Sequence, residues 1–555
     1  MSYTGADLFV EALESYGVTH LFGNPGTTEL PLMQALVDGD LEYVLGLHED
    51  VAVGAAAGYA MRRRYHGHAD DVLPLGVANL HLAGGLAHGL GNLYNADISG
   101  APLLLTAGTH SLDYQHKEPI LGGDLVTMAD QFTKWSAEVK DIEALPDMVR
   151  RAVRTALTPP TGPVFLALPV DVQLAETGLS PERLGRIPTA GRGDARAVDD
   201  AVAAVADADE PVVVLGDEVA RSGADAVDAA VRFAEAAGAR VHGEVLSYEV
   251  NLPTAHEQWQ GVLSTKTPGT ASAMDTDTLI FVGCSTNTTV TRPTTQLVPD
   301  DATCVHVTND AWELGKHAPA DVAVLGDPGQ VLAELADRVS DAVDETERER
   351  RLAAVGEWND AREGDSSETV DGTLTKTGLA RALHRAAPDA LVVSESVTAA
   401  PALLEEFPFE PTQLLGTKGG GLGYGLPASV GAAVAEREAG GERSVLGYVG
   451  DGSYLYYPQT LYTAARYDLD LTVVVPDNRN YRILKENTAA LLGGDAKDYE
   501  YVGFDFDPSV DLAASAEANG ATGLRVESAD AIDETLEAAL EQAGPVVVDV
   551  PVTDR

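Results

Sequence analysis

Two apolar runs near the end of the chain, SVLGYVG and LTVVV, each stop on a residue that could hold a cation. Asp451 follows the first, in the turn GDGS, and Asn478 follows the second, in PDN. In doubly wound sheets ligands bind beyond the carboxyl ends of the strands, so neighbouring strands could bring these two oxygens together. Hard oxygen donors, with no thiolate and no histidine pair, suit Mg2+ or Ca2+. Mg2+ commonly shares its shell with phosphates, and Gly450, Gly452 and Ser453 offer closely approaching backbone N–H groups and a hydroxyl. GDG alone would serve as a strand-to-helix turn with Asp451 as the cap. The second strand end, at Asn478, tips the reading toward a metal and diphosphate site.

Other candidates lie upstream. Glu49, in YVLGLHEDVAVGAAAGYA, stands just past a strand end and opens an alanine- and glycine-rich helix. A glutamate there by itself only complements the helix dipole. His81 follows the strand PLGVANL, and most lone histidines are packing or surface groups. GTHSLDYQHKEP adds His110 and His116, and GTKGGGLGYGLP is a glycine-rich loop between strand patterns. Cys284 and Cys304 show neither metal spacing nor a disulfide framework and read as buried packing residues.

Strands alternating with helices must position these groups. THLFG, EYVLGL, PLGVANL, PLLLTAG and PVFLALP are separated by helical patterns, which argues for a parallel sheet covered on both faces. The pattern restarts at PVVVLG, TLIFVGC and TCVHVTND, and again at ALVVSES, SVLGYVG, LTVVVPDN, GLRVESA and PVVVDVPV. TGLSPERLGRIPTAGRGDAR reads as a linker, and DETERERRLAAVGEWNDAREGDSSETVDG separates the second and third segments. The expectation is an α/β protein of three doubly wound parallel-sheet domains, over 1–180, 190–340 and 370–555. The middle one has a Rossmann-like outline without an intact G-x-G-x-x-G, so a bound dinucleotide is unsupported.

At 555 residues, 45% of them apolar, the chain can fill several cores. Its net charge of −49 is spread along the whole length. Such a surface repels nucleic acid and anionic membranes. It suits molar salt, where the Debye length is about 3 Å and self-repulsion is screened. With no basic-plus-apolar leader and no run of eighteen apolar residues, the chain reads as soluble and cytoplasmic, in a high-salt cytoplasm.

A GDGS turn followed some 25 residues later by an Asn at a strand end resembles the motif of the thiamine diphosphate-dependent enzymes. The likeness runs over nearly the whole chain and is nearest to the benzoylformate decarboxylase group. It includes GNPGTTELP, NLHLAGGLAHGLGNLYNA, APLLLTAG, the KW of FTKWSAEV and GGGLGYGLPA. The resemblance implies three domains (pyrimidine-binding, central and diphosphate-binding) and two cofactors, thiamine diphosphate and Mg2+. Asp451, the Asn478 side chain and the Asn480 carbonyl would coordinate the metal. Glu49 matches the catalytic glutamate that hydrogen-bonds the aminopyrimidine and promotes loss of the cofactor's C2 proton. Leu422 matches the residue propping the cofactor into its bent form, and the Gly420 carbonyl matches the acceptor of the aminopyrimidine N–H. Ser396, Thr398, Gly452, Ser453 and Tyr481 match further cofactor contacts. His81 matches an active-site histidine, and Thr27 a serine that meets the substrate carboxylate.

Two departures concern the substrate. The group's second histidine comes from a middle-domain loop, and the corresponding GCSTNTTVTRP contains none; His110 and His116 are candidate substitutes. Ile483 and Asn487 stand where residues better suited to an aryl group are expected. The resemblance implies non-oxidative decarboxylation of a 2-oxo acid, with carboligation open to the same chemistry. The alternative is an acetolactate synthase-like carboligase, which would add FAD. A homodimer or homotetramer with active sites shared between subunits is implied as well.

Overall fold

The computed structural model describes residues 3–69, 72–285, 292–360, 367–441 and 443–553. Three six-stranded parallel sheets account for nearly all the strands. The first holds β1 (His20–Gly23), β2 (Glu42–Leu45), β3 (Gly76–His81), β4 (Leu103–Thr109), β5 (Ser136–Glu138) and β6 (Val164–Pro169), in the order β2-β1-β3-β4-β6-β5. The second holds β7 (Val212–Leu215), β8 (Arg240–Gly243), β9 (Trp259–Val262), β10 (Thr278–Val282), β11 (Thr303–Thr308) and β12 (Val322–Leu325), in the order β12-β11-β10-β7-β8-β9. A short antiparallel pair follows, β13 (Thr369–Val370) and β14 (Thr373–Leu374). The third sheet holds β15 (Leu391–Glu395), β16 (Leu414–Gly416), β17 (Val445–Val449), β18 (Leu471–Asp477), β19 (Thr522–Arg525) and β20 (Pro545–Pro551), in the order β16-β15-β17-β18-β20-β19.

The sequence of β4, β6, β17 and β18 explains their place. Each is mostly apolar and is buried along its whole length, as a strand covered on both faces must be. The strand order reverses about the first strand of each sheet, between β1 and β3, between β7 and β10, and between β15 and β17. These reversals are where a doubly wound sheet opens a crevice beyond its carboxyl ends.

The chain forms two compact units. One comprises Met1–Ile187, Thr369–Ala400 and Leu415–Arg555, and carries the first and third sheets; the other comprises Pro188–Glu368 and Pro401–Leu414. In the first unit, the helix Glu49–Ala69 packs against the helix Gly425–Glu438. The small residues of AVGAAAGYA are there for this contact: a Cβ on Gly58 would lie 2.3 Å from the Ala428 carbonyl oxygen, and one on Gly431 1.8 Å from that of Ala55. Farther along the same helices, Arg62 pairs with Glu436 and Arg63 with Glu438, at 3.2 Å for the latter, and all four side chains are largely buried.

In the second unit the charged stretch expected to act only as a separator contains the helix Glu345–Asp360. Its Arg351 is buried, and its guanidinium donates to the carbonyls of Val205, Ala206, Ala208 and Ala237. A high density of charge hid one arginine that anchors the helix. Cys284 and Cys304 are buried and form no disulfide with each other. No helix among the described residues is long and apolar enough to cross a membrane.

Candidate active site

At the switch point of the third sheet, β15 and β17 run side by side, with Glu395 opposite Val449, and the Gly450 amide donates to the Glu395 carbonyl at 3.1 Å. Asp451 then opens the short helix Asp451–Tyr454. Its Oδ1 accepts the Gly452 amide at 2.9 Å, whereas Oδ2 is buried without a hydrogen-bond partner. Burial first, and then the negative charge of Asp477, push the Asp451 carboxyl up to about 7. Two buried carboxylates drawn together in this way are stabilised by a cation, so the residues present fit a hard divalent ion.

Asn478 is half-buried directly after β18, and its Oδ1 accepts the Asn480 amide at 3.2 Å. The Asn480 carbonyl accepts the Arg482 amide at 2.9 Å. Gly452 lies under the Tyr481 ring: a Cβ there would come 2.7 Å from Cε1, so only glycine fits. Ser396 is buried and faces Gly450, with its Oγ 3.5 Å from where a Cβ would project. Thr398 is half-buried just beyond it, and Ser453 is buried within the Asp451–Tyr454 turn.

Sequence reasoning missed the residue that shapes the glycine loop. The buried side chain of Glu395 accepts the amides of Gly423 at 2.9 Å, Tyr424 at 3.2 Å and Gly425 at 2.8 Å. This carboxylate ties the end of β15 to GGGLGYG. Gly420 is exposed at φ +70°, with open space where a Cβ would be, and Leu422 is half-buried. Two asparagines of the helix Leu90–Ile98 hold the loop from the other side, Asn95 at the Gly421 carbonyl (2.9 Å) and Asn92 at that of Gly423 (3.3 Å).

The first sheet presents a second group of residues. Glu49 opens the helix Glu49–Ala69 past the end of β2, with its side chain mostly buried. His81 ends β3, beside the turn that follows β1. Its Nδ1 lies 2.7 Å from Oε2 of Glu29 and 3.1 Å from Oγ1 of Thr28. Glu29 also accepts the amides of Gly26 at 3.0 Å and Gly108 at 2.9 Å. A Cβ on Gly26 would fall 2.2 Å from Cγ of His81, so glycine is required where the ring seats. Thr27 belongs to this turn but its own side chain is exposed. Glu29 was legible only as a helix-start glutamate three residues after Gly26; its histidine partner is 52 positions away.

The remaining histidines differ in setting. His110 Nε2 is 3.0 Å from the Ile120 carbonyl oxygen, and His116 is exposed on a short 3-10 turn. Ile483 and Asn487 lie on the helix Arg482–Leu492, which buries none of its residues. Of the loop GCSTNTTVTRP, residues 286–291 lie outside the described residues.

The thiamine pyrophosphate enzyme family matches in all its parts: the N-terminal TPP binding domain over residues 3–133, the central domain over 198–335 and the C-terminal TPP binding domain over 402–550. Benzoylformate decarboxylase of Pseudomonas aeruginosa is 30% identical over 98% of this chain and 97% of its own. The chain belongs to the thiamine pyrophosphate enzyme family. Within that family it is also similar to acetolactate synthase of Bacillus subtilis, at 25% identity over 99% of this chain and 93% of that one. A solved structure, the thiamine diphosphate-dependent 4-hydroxybenzoylformate decarboxylase of Rhodococcus jostii, superposes with a TM-score of 0.86 at 29% identity, covering 99% of each chain.

Proposed function

We propose that the protein is a thiamine diphosphate- and Mg2+-dependent decarboxylase of 2-oxo acids, with an aryl-substituted 2-oxo acid as the first substrate to try. The observation that carries this reading is the Glu29–His81 pair at the switch point of the first sheet. Glu29 is a buried acceptor of two backbone amides and the Thr28 hydroxyl, so Nδ1 of His81 carries the proton it shares with Glu29. The other ring nitrogen, Nε2, is left to meet a substrate carboxylate or to exchange a proton with the product carbon. Benzoylformate decarboxylase and 4-hydroxybenzoylformate decarboxylase among the similar proteins support the same substrate class.

Asp451, the Asn478 carboxamide and the Asn480 carbonyl would hold the Mg2+ ion, with Ser396, Thr398, Gly452, Ser453 and Tyr481 around the diphosphate. Gly420 and Leu422 would meet the aminopyrimidine and the bend of the cofactor. When bound, thiamine diphosphate supplies the nucleophilic carbon that attacks a 2-oxo group. Glu49 would hold the proton shared with the aminopyrimidine. A homodimer or homotetramer, with Glu49 of one subunit serving a cofactor held by Asp451 of another, is the assembly proposed; a two-fold axis would generate two equivalent sites. The charge of −49 is read as adaptation to a high-salt cytoplasm.

One feature of the central sheet supports this reading over a flavin-associated carboligase. At its switch point, Glu244 accepts the Asp217 amide at 3.0 Å through Oε1 and the Ser285 amide at 2.8 Å through Oε2. Glu218 takes the Asn309 amide at 3.2 Å. Backbone donors that could face a dinucleotide's phosphates are thus committed to the chain's own carboxylates. The test is an assay of purified protein in molar KCl, with thiamine diphosphate and Mg2+, against aryl and alkyl 2-oxo acids. The reading expects aldehyde and CO2 from an aryl 2-oxo acid and no absorbance near 450 nm in the purified protein. Acetolactate formation from pyruvate by a yellow protein would favour the carboligase.

A further inference from the structure

Beside Glu49 the chain carries two imidazoles to which the proposed decarboxylation assigns no role. His48 immediately precedes it, and His88 ends the short helix Leu82–His88. One ligand atom from each of His48, Glu49 and His88 lies within 4.8 Å of the other two. Nδ1 of His88 is 3.1 Å from Oε2 of Glu49, and the two imidazole rings stack with centroids 5.3 Å apart. Two imidazoles and one carboxylate form a donor set for Zn2+, Co2+ or Ni2+, in contrast to the all-oxygen set around Asp451.

We propose that His48, Glu49 and His88 form a transition-metal site, in which a Zn2+-type cation takes up the carboxylate of Glu49. The consequence rests on the reading of Glu49 as the cofactor's proton partner: a cation held here withholds Glu49, so it competes with thiamine diphosphate, whereas Mg2+ does not enter. Tetrahedral Zn2+ needs ligand atoms about 3.3 Å apart, so the three side chains have only a short distance to draw in. His88 can make that movement, since its side chain is 62% exposed at a helix end. The lone pair of His48 is on Nδ1, which accepts the Asp50 amide at 3.1 Å; a cation bound there exchanges that capping bond for a metal bond. The Tyr457 ring, 5.0 Å away, backs the His48 ring. Gly85 keeps the carboxylate accessible, because a Cβ there would come 3.1 Å from Oε1.

Calorimetric titration of untagged, cofactor-free protein with Zn2+, and absorption spectra with Co2+, test the site. The comparison proteins are the double variant His48→Asn/His88→Asn and the variant Asp451→Ala. Asparagine at 48 retains a capping acceptor, and unfolding midpoints confirm that the variants fold. Wild type and Asp451→Ala should each bind one Zn2+ that the double variant binds at least roughly ten-fold more weakly, a difference of about 1.4 kcal/mol. Equal affinity in the double variant and wild type, or no Zn2+ binding by wild type at millimolar concentration, overturns the site. Zn2+ binding that depends on His48 and His88 yet is unaffected by saturating thiamine diphosphate and Mg2+ upholds the site and removes the role given to Glu49.

Discussion

Nδ1 of His81 sits 2.7 Å from Oε2 of Glu29, a carboxylate with no exposure to solvent. The pair joins the end of β3 to the turn after β1, and Glu29 has every hydrogen bond it needs only as an acceptor. In Glu29→Gln one carboxamide hydrogen must oppose an N–H or the imidazole. The expected cost is about 1–3 kcal/mol of stability, from a buried donor left unsatisfied. Turnover should fall further than this loss explains, because His81 loses its orientation. If the two residues act as a unit, Glu29→Gln/His81→Ala should be no slower than His81→Ala alone. Additive losses in the rate of CO2 release would separate them.

Gly431→Ala sets helix propensity against packing. Alanine favours a helix interior over glycine by about 1 kcal/mol. Here the added Cβ would meet the Ala55 carbonyl oxygen at 1.8 Å, a backbone contact that no rotamer relieves. Overpacking costs about 1–3 kcal/mol and should win. The unfolding midpoint in molar KCl is expected to drop; a rise would mean that the helices Glu49–Ala69 and Gly425–Glu438 sit farther apart.

Glu436 gives a pH dependence with a definite sign. Burial works to raise its pKa, but the hydrogen bond with His66 and the charge of Arg62 outweigh it and hold the carboxyl below the usual range. A depressed folded-state pKa contributes stability that is present above the unfolded value, about 4.3 for glutamate, and is lost as pH falls through the folded one. Glu436→Gln should therefore cost most near neutrality, because Arg62 and His66 lose the carboxylate charge they face. The gap between wild type and variant in urea unfolding should narrow as pH falls below the glutamate range. A gap that widens in acid would contradict the pairing.

Much of this architecture was legible in the sequence because buried parallel strands such as LTVVV and SVLGYVG are apolar on both faces. The ends of those strands then located Asp451 and Asn478. β5, β8, β9, β12 and β16 were not legible: they are three or four residues long, too short to show a clear apolar run or alternation. Partnerships were harder to read than positions. Glu395 looks like the polar end of a strand until GGGLGYG folds back onto it, and Asp477 acquires its meaning only beside Asp451. His88 lies 39 positions from the glutamate it touches. Long-range pairs of this kind leave no periodicity for a single sequence to display.

The central claim is that Asp451 and Glu49 serve opposite ends of one thiamine diphosphate. Calorimetric titration of the cofactor with Mg2+ into wild type, Asp451→Ala and Glu49→Gln, paired with CO2 release from an aryl 2-oxo acid, tests it most directly. The account predicts that Asp451→Ala loses most of its cofactor affinity, by a hundred-fold or so, equivalent to about 2.7 kcal/mol. Glu49→Gln should keep that affinity largely intact while turnover falls by roughly a hundred-fold or more. Undiminished cofactor binding by Asp451→Ala, or wild-type turnover by Glu49→Gln, would contradict it.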